Sequence, residues 1–359
     1  MATMGMPQIK IAFKSQGLTA IQRSERGIVL LLIKGANEEE QGSYKFSTLL
    51  EVPEKVQFSE NVIKLIRLAF QASPKRVLVE IYGEKNPLSD VTKRLEEVKF
   101  NYYAMPNADK KDIEDVKTWH KKMTKEKDKT IKFVAFEYSA DDETVINWVT
   151  KSVVYDGIEY TGQEFTALVA SELAGLPLTR SFTFFEWPLV SKASLDYGED
   201  ADKAVNEGKL FLTYDGDVYK VSRAVNSLVT PSQDKGEDFA KIKIVDAMHL
   251  IKDDIRDTFN KYYVGKILNS YANKQQFLAM INRVYFSELR GTVLENTDRN
   301  RVDIDVDACT RYAIKRGAKV EDMTTQQIKE FNTGSNVFLT GYVSLLDAME
   351  DLQINFWNE

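Results

Sequence analysis

RVLVEIYGEKNPLSDVTKRLEEVKFNYYA, residues 76–104, reads as a strand, a helix and a second strand: Arg76–Tyr82, Asp90–Val98 and Phe100–Tyr103. The same alternation continues downstream. A long charged helix, Lys110–Lys125, leads to a strand at Ile131–Tyr138, a helix beginning at Asp141 and a strand at Ser152–Tyr155. Helix Gly162–Ala174 closes the series at Gly175. Strands alternating with helices of this length predict crossover units on a largely parallel sheet, and therefore an α/β fold.

Upstream, GIVLLLI (Gly27–Ile33) is apolar at nearly every position and predicts a strand buried on both faces. An acidic loop separates it from a strand at Tyr44–Glu51, and Ser59-Glu60-Asn61 opens a helix with Val62, Ile63, Ile66, Ala69 and Phe70 on its apolar face. Downstream, Arg180–Glu186 reads as β-structure, and Lys209–Tyr214 joins Val218–Arg223 through Asp215-Gly216-Asp217, a hairpin signal. Beyond about residue 240 the periodicity is helical, in Ala247–Tyr263 and in Lys274–Arg290, where Phe277, Ile281, Val284 and Tyr285 share a face. A strand at Val302–Val306, a short helix Thr325–Phe331 and strands at Asn336–Leu345 and Leu352–Trp357 complete the chain. Its 359 residues exceed what one core usually holds. The pattern divides the chain into an N-terminal arm (1–22), a small β-rich module (23–85), an α/β domain (86–240) and a C-terminal domain (241–359).

Composition narrows the function. Apolar residues are 43% of the chain and charged residues 28%, enough to build cores and against global disorder. The net charge of −6 argues against a polyanion binder, so no nucleic-acid partner is expected. A single cysteine, Cys309, forbids an intrachain disulfide or a cysteine metal cluster, and two histidines, His120 and His249, leave little for zinc. The opening MATMGMPQIKIAFKSQG lacks the pattern of a secretory leader, and the most apolar run, Ile28–Ile33, is only six residues long. A chain made in the cytosol without membrane insertion is expected.

Motifs for catalysis fail one by one. Gly265-Lys266 is followed by Ile267 and lacks P-loop spacing, and neither GxGxxG nor GxSxG occurs. Asp303, Asp305 and Asp307 begin like a calcium loop, but Ala308 and Ile314 stand where the turn glycine and the bidentate glutamate belong. That segment reads instead as a strand with Val302, Ile304 and Val306 inward. His249 could meet Asp253 across one helical turn, and His120 lies in a lysine-rich stretch that reads as a solvated helix end. No cofactor is expected.

The two ends share a pattern. Ile9, Ile11 and Phe13 alternate with Gln8, Lys10, Ala12 and Lys14, while Leu352, Ile354 and Phe356 alternate with Gln353, Asn355 and Trp357. Each could be an edge strand of its own sheet, or could be donated to a neighbouring copy to build a polymer. Spacing alone does not separate the two.

Four segments, SELAGLPLTRSFTFFE (Ser171–Glu186), SRAVNSLVT (Ser222–Thr230), KIKIVDAMHLIKDDIRDTFNKYYVGKILNSYANK (Lys241–Lys274) and GSNVFLTGYVSLLDAMEDLQINFWN (Gly334–Asn358), resemble in order and spacing the sheath proteins of contractile injection machines. These include contractile-tailed phages and R-type bacteriocins. The resemblance implies a subtilisin-like middle domain, in shape and not activity, and a helix-rich C-terminal domain with a small sheet completed by terminal arms. It implies hexameric rings of identical subunits stacked helically around an inner tube, with baseplate and tail terminator proteins as further partners. It implies contraction that drives the tube through a target envelope without nucleotide. Carried onto this sequence, the donated strands are Gln8–Lys14 and Leu352–Trp357, and the receiving sheet includes Val337, Phe338, Leu339, Tyr342 and Val343. A particle assembled from subunits made in the bacterial host cytoplasm is expected. The alternatives are the sheath of a related secretion or phage-like translocation system, and a cytosolic α/β hydrolase-like enzyme.

Overall fold

The computed structural model describes residues 23, 25–52, 58–195, 197 and 200–357. Two compact units emerge. The larger takes Ser24–Asp253, Gly291–Glu295 and Leu345–Glu359, and the smaller takes Arg23, Asp254–Arg290 and Asn296–Ser344.

In the larger unit the elements are β1 (Ile28–Lys34), β2 (Gly42–Phe46), α1 (Glu60–Phe70), β3 (Arg76–Tyr82), α2 (Leu88–Leu95), β4 (Tyr102–Ala104), α3 (Lys110–Lys121), β5 (Lys132–Phe136) and β6 (Val145–Trp148). There follow β7 (Ser152–Tyr155), β8 (Ile158–Thr161), α4 (Gly162–Gly175), β9 (Val190–Ala193), α5 (Ala201–Asn206), β10 (Lys209–Leu210), β11 (Leu212–Tyr214) and β12 (Tyr219–Val221). Among the described residues, seven strands form one sheet in the order β10-β6-β5-β4-β1-β3-β2, parallel except for β2 at the edge. The mixed α/β class expected from the alternation is present.

The strand β1 explains why its sequence is apolar throughout. Its side chains alternate between two cores: Val29, Leu31 and Ile33 face one, with α1 and α4, and Ile28, Leu30 and Leu32 face the other, with α2 and α3. All six are at most 2% exposed. This burial also corrects the expected module at 23–85. Strands β1 and β3 are interior to the same sheet as β4, β5 and β6, because a strand apolar on both faces needs helices above and below it.

Other expectations shift locally. The helix expected from Asp141 is strand β6: Asp141 takes a positive φ of 51° and its carboxylate accepts from the N–H groups of Val229 and Thr230, after which Val145–Trp148 is buried in the sheet. Residues 180–186 form turns rather than a strand, with Phe184 at φ 54°. The expected hairpin is β11–β12, paired antiparallel around Asp215–Asp217.

Helix α6 (Ile242–Tyr262) carries the chain from the larger unit into the smaller, with the border between the compact units at Asp253–Asp254. Its beginning belongs to the larger unit because Ile242 joins that core and Asp246 pairs with Lys132 of β5 at 2.7 Å. The smaller unit holds α7 (Tyr271–Ala279), α8 (Phe286–Leu289), β13 (Arg301–Ile304), α9 (Val306–Lys315), α10 (Thr325–Glu330) and β14 (Leu339–Tyr342). Leu278, Ile304, Cys309 and Ile328 form one small core cluster in it, and Phe277, Ile281, Tyr285 and Phe286 are buried as well. The expected strand past Ile304 gives way to α9, because the Asp305 carboxylate accepts from the Ala308 N–H at 2.8 Å and caps a helix. The strand expected over Asn336–Leu345 is confined to β14.

Candidate functional site: a rooted arm and an open sheet edge

In parallel sheets, ligands gather at the carboxyl ends of the strands where the order reverses. Here that place, beside β1, is filled by the chain itself. Asn107 accepts from the Lys34 N–H and donates to the Lys34 carbonyl, both at 2.8 Å, and Lys34 Nζ pairs with Asp109 at 2.6 Å and Asp112 at 3.0 Å. Gln163 Nε2 donates to the carbonyls of Met105 and Ala108 across the same loop. His120 is a core histidine, 2.9 Å from the Thr144 hydroxyl and packed against Tyr103 and Phe133, and burial pushes its imidazole down to about 4. His249 lies in a small polar wall with Arg26, Lys132 and Asp246 at the start of α6, and Asp253 accepts from the Thr130 hydroxyl at 2.7 Å. Among the described residues no group of three or more histidine, cysteine, aspartate or glutamate side chains could hold a metal ion, and no helix is long and apolar enough to cross a membrane.

Two surface features stand out: the C-terminal segment and a sheet edge of the smaller unit. The C-terminal segment starts with a firm root in the larger unit. Leu345 bridges Leu294, the Leu346 N–H donates to the Val293 carbonyl at 2.8 Å, Lys243 Nζ donates to the Leu346 carbonyl, and Lys241 pairs with Asp347. Three residues on, Glu350 is clasped. Its Oε1 accepts from Ser181 Oγ at 3.0 Å and Thr183 Oγ1 at 2.6 Å, and its Oε2 lies 3.2 Å from Arg223. Arg223 also reaches Asp351 at 2.5 Å, which lowers the Asp351 carboxyl and raises the guanidinium. Thr183 is itself held, accepting from the Ala224 N–H at 2.9 Å.

Past Asp351 the clasp ends. Leu352–Trp357 forms no strand in the single chain and makes no hydrogen bond to another described residue. Leu352 is 85% exposed, Ile354 57%, Phe356 89% and Trp357 90%. Gln353 and Asn355 are exposed as well. A soluble chain seldom leaves four large apolar side chains of one short segment in water without a partner for them. The expected N-terminal arm residues, Gln8, Ile9, Lys10, Ile11, Ala12 and Phe13, lie outside the described residues.

The smaller unit has an open edge. Strands β13 and β14 pair antiparallel, with Arg301 opposite Tyr342 and Ile304 opposite Leu339. The Asp305 N–H bonds to the Phe338 carbonyl, so 305/338, 303/340 and 301/342 are the hydrogen-bonded pairs. The N–H and C=O groups of Leu339 and Gly341 therefore point away from β13, and they have no partner among the described residues. Phe338 and Leu339 pack on the core while Tyr342 and Val343 are exposed, and Val337 is half-buried. The far edge of β13 is different. Asn282 Nδ2 donates to the Val302 carbonyl, the Val302 N–H donates to Asn282 Oδ1, and the Ile304 N–H donates to the Asp303 carboxylate. Asn282 sits in a π-helical turn, Met280–Tyr285, that brings it onto the strand. One edge is closed by side chains and one is open.

Residues 84–227 match the phage tail sheath protein central domain, and residues 234–356 match the phage tail sheath C-terminal domain. The tail sheath protein of Clostridium phage phiCD119 is 34% identical over 359 residues, covering 98% of each chain. The chain belongs to the phage tail sheath family. The fold is similar to the helical sheath of the anti-feeding prophage in its contracted state, with a TM-score of 0.70 at 14% identity over 99% of this chain and 100% of that one. It is equally similar to the contracted sheath complex of the extracellular contractile injection system PVC, with a TM-score of 0.70 at 9% identity over 100% and 99% of the two chains. A sheath family member is a structural subunit, and the hydrolase-like reading is not favoured.

Sequence reasoning singled out the arm and the receiving strand but not the residues that hold them. Asn282 gives no local signal. The clasp does, in retrospect: Ser181 and Thr183, Arg223, Lys241 and Lys243, and Glu350 come from the four segments that carry the family resemblance, and all meet at the root of the arm.

Proposed function

We propose that this sheath subunit polymerises by donating Leu352–Trp357 to the β14 edge of a neighbouring copy, in rings of six stacked helically around an inner tube. The arm carries the proposal: an alternating segment that is largely exposed, with no backbone partner among the described residues, beginning directly after a clasped root. Its complement is the outward N–H and C=O pair of Leu339 and of Gly341. A strand laid on that edge makes up to about four backbone hydrogen bonds, roughly 2–6 kcal/mol net per junction before side chains are buried. The N-terminal strand Gln8–Lys14 completes the same sheet from another neighbour. Baseplate and terminator proteins end the stack, subunits are made in the host cytoplasm, and the particle is a phage tail or a bacteriocin. Work comes from the difference between two lattice packings, with no bond hydrolysed. The filled switch point at Asn107 and the buried His120 support that reading.

Deleting Leu352–Glu359 tests it. The truncated chain is expected to stay a soluble monomer with near-normal melting and to form no cylinders by negative-stain microscopy. Normal cylinders from the truncated chain would refute strand donation, and unfolding would place the strand in its own core. Ile354→Pro, which removes a ladder donor, is expected to act like the deletion.

A further inference from the structure

We propose that Glu350 is the positioning residue of strand donation: its clasp by Ser181, Thr183 and Arg223 fixes where the free arm begins, and so which neighbour the arm can reach. This inference rests on the reading of Leu352–Trp357 as a donated strand.

The geometry separates a held root from a free tip. Glu350 is the last largely buried side chain of the described segment, only 10% exposed, whereas Asp351 is 78% exposed and Leu352–Trp357 are exposed after it. Three donors from two different loops converge on the one carboxylate, Ser181 and Thr183 on Oε1 and Arg223 on Oε2. Such a threefold clasp is more than a surface ion pair, which alone would contribute little. The loop that supplies it is shaped for the purpose, because Ser181 Oγ also accepts from the Thr183 N–H and so holds the two hydroxyls side by side. With the clasp closed, the six-residue segment Leu352–Trp357 reaches at most about 20 Å when extended. With Glu350 released, only the exposed Arg223–Asp351 pair remains before Lys241 with Asp347, and because such a surface pair holds little, four more residues join the tip. The reach then grows to about 33 Å. A longer tether reaches more than one acceptor edge and lowers the effective concentration at the correct one.

Glu350→Ala, compared with the wild type and with the Leu352–Glu359 deletion, tests the clasp. The variant is expected to remain monomeric at low concentration with unchanged melting, and its residues 348–351 are expected to exchange amide hydrogens faster. Cylinders are expected only at a protein concentration raised by about twofold or more, the length-scaling minimum, and with irregular diameters. Glu350→Gln, which still accepts from Ser181 and Thr183, is expected to recover part of the regularity. If Glu350→Ala assembles at the wild-type concentration into regular cylinders while the deletion abolishes them, the clasp has no positioning role and donation stands. If the deletion also assembles normally, donation itself fails. Should Glu350→Ala not fold, a Gly-Ser-Gly-Ser insertion between Asp351 and Leu352 lengthens the tip with the clasp intact. It is expected to show the same assembly defect, and regular cylinders at the wild-type concentration would overturn the proposal.

Discussion

Asn282 and Val302 exchange two hydrogen bonds of 2.8 Å, side-chain amide to carbonyl and backbone N–H to side-chain oxygen. The amide of Asn282 thus does for β13 what a further strand would do. A sheet that must accept strands on one side only needs its other edge blocked, since open edges pair without discrimination.

Asn282→Ala is expected to remove that block. Two hydrogen bonds are lost and the half-buried Val302 groups stay unpaired, at a cost of about 1–3 kcal/mol. In a chain already lacking Leu352–Glu359, light scattering is expected to show slow aggregation that the Asn282 parent does not. An unchanged melting temperature and clear solutions would refute the role.

Gly341 is held to its size by β13. A Cβ there would meet Val302 Cγ2 at 2.9 Å and the Arg301 carbonyl oxygen at 3.0 Å, and the carbonyl belongs to the strand it pairs with. Gly341→Ala is expected to separate the two strands locally and cost about 1–3 kcal/mol. Thermal melting checks the cost, and cylinder formation is expected to fall with it.

The pair Lys132–Asp246 is buried, 4% and 5% exposed at 2.7 Å, and Tyr102 donates its hydroxyl to the same carboxylate at 3.0 Å. Burial lowers the Lys132 ammonium while Asp246 opposes that shift. Asp246→Asn leaves a cation in the core and is expected to destabilise by about 3–5 kcal/mol, whereas Lys132→Met with Asp246→Leu is expected to recover most of the loss. Urea denaturation of both variants measures the difference.

His120 predicts an acid sensitivity. Its folded value of about 4, set by burial with Asp142, Lys125 and Glu143 beside it, lies below the unfolded 6.5. Between these values the unfolded chain binds the extra proton. Its contribution is therefore complete above about pH 6.5 and is lost as the pH falls toward 4, on the order of 3 kcal/mol in all. His120→Gln is expected to flatten stability against pH across that window, and an unchanged slope would show that other groups carry it.

The α/β class followed from the chain itself. A run such as Gly27–Ile33, apolar at both parities, has no stable place except inside a sheet covered on both faces, and the helix Gly162–Gly175 carries its own capping box at Thr161 and Glu164. Local chemistry likewise sufficed for the Asp215–Asp217 hairpin and for the alternation at Leu352–Trp357. Four-residue segments did not yield in this way: VINW at Val145–Trp148 is too short for its periodicity to separate helix from strand, and only its place between β5 and β10 decides. Strand order was also beyond local pattern, which is why residues 23–85 read as a module of their own. The clasp joins side chains 127 to 169 positions apart, and Asn282 closes an edge 20 positions away. Periodicity reports which face of an element avoids water. Which donor meets which acceptor across such separations is set only when the packed elements bring them within hydrogen-bonding distance.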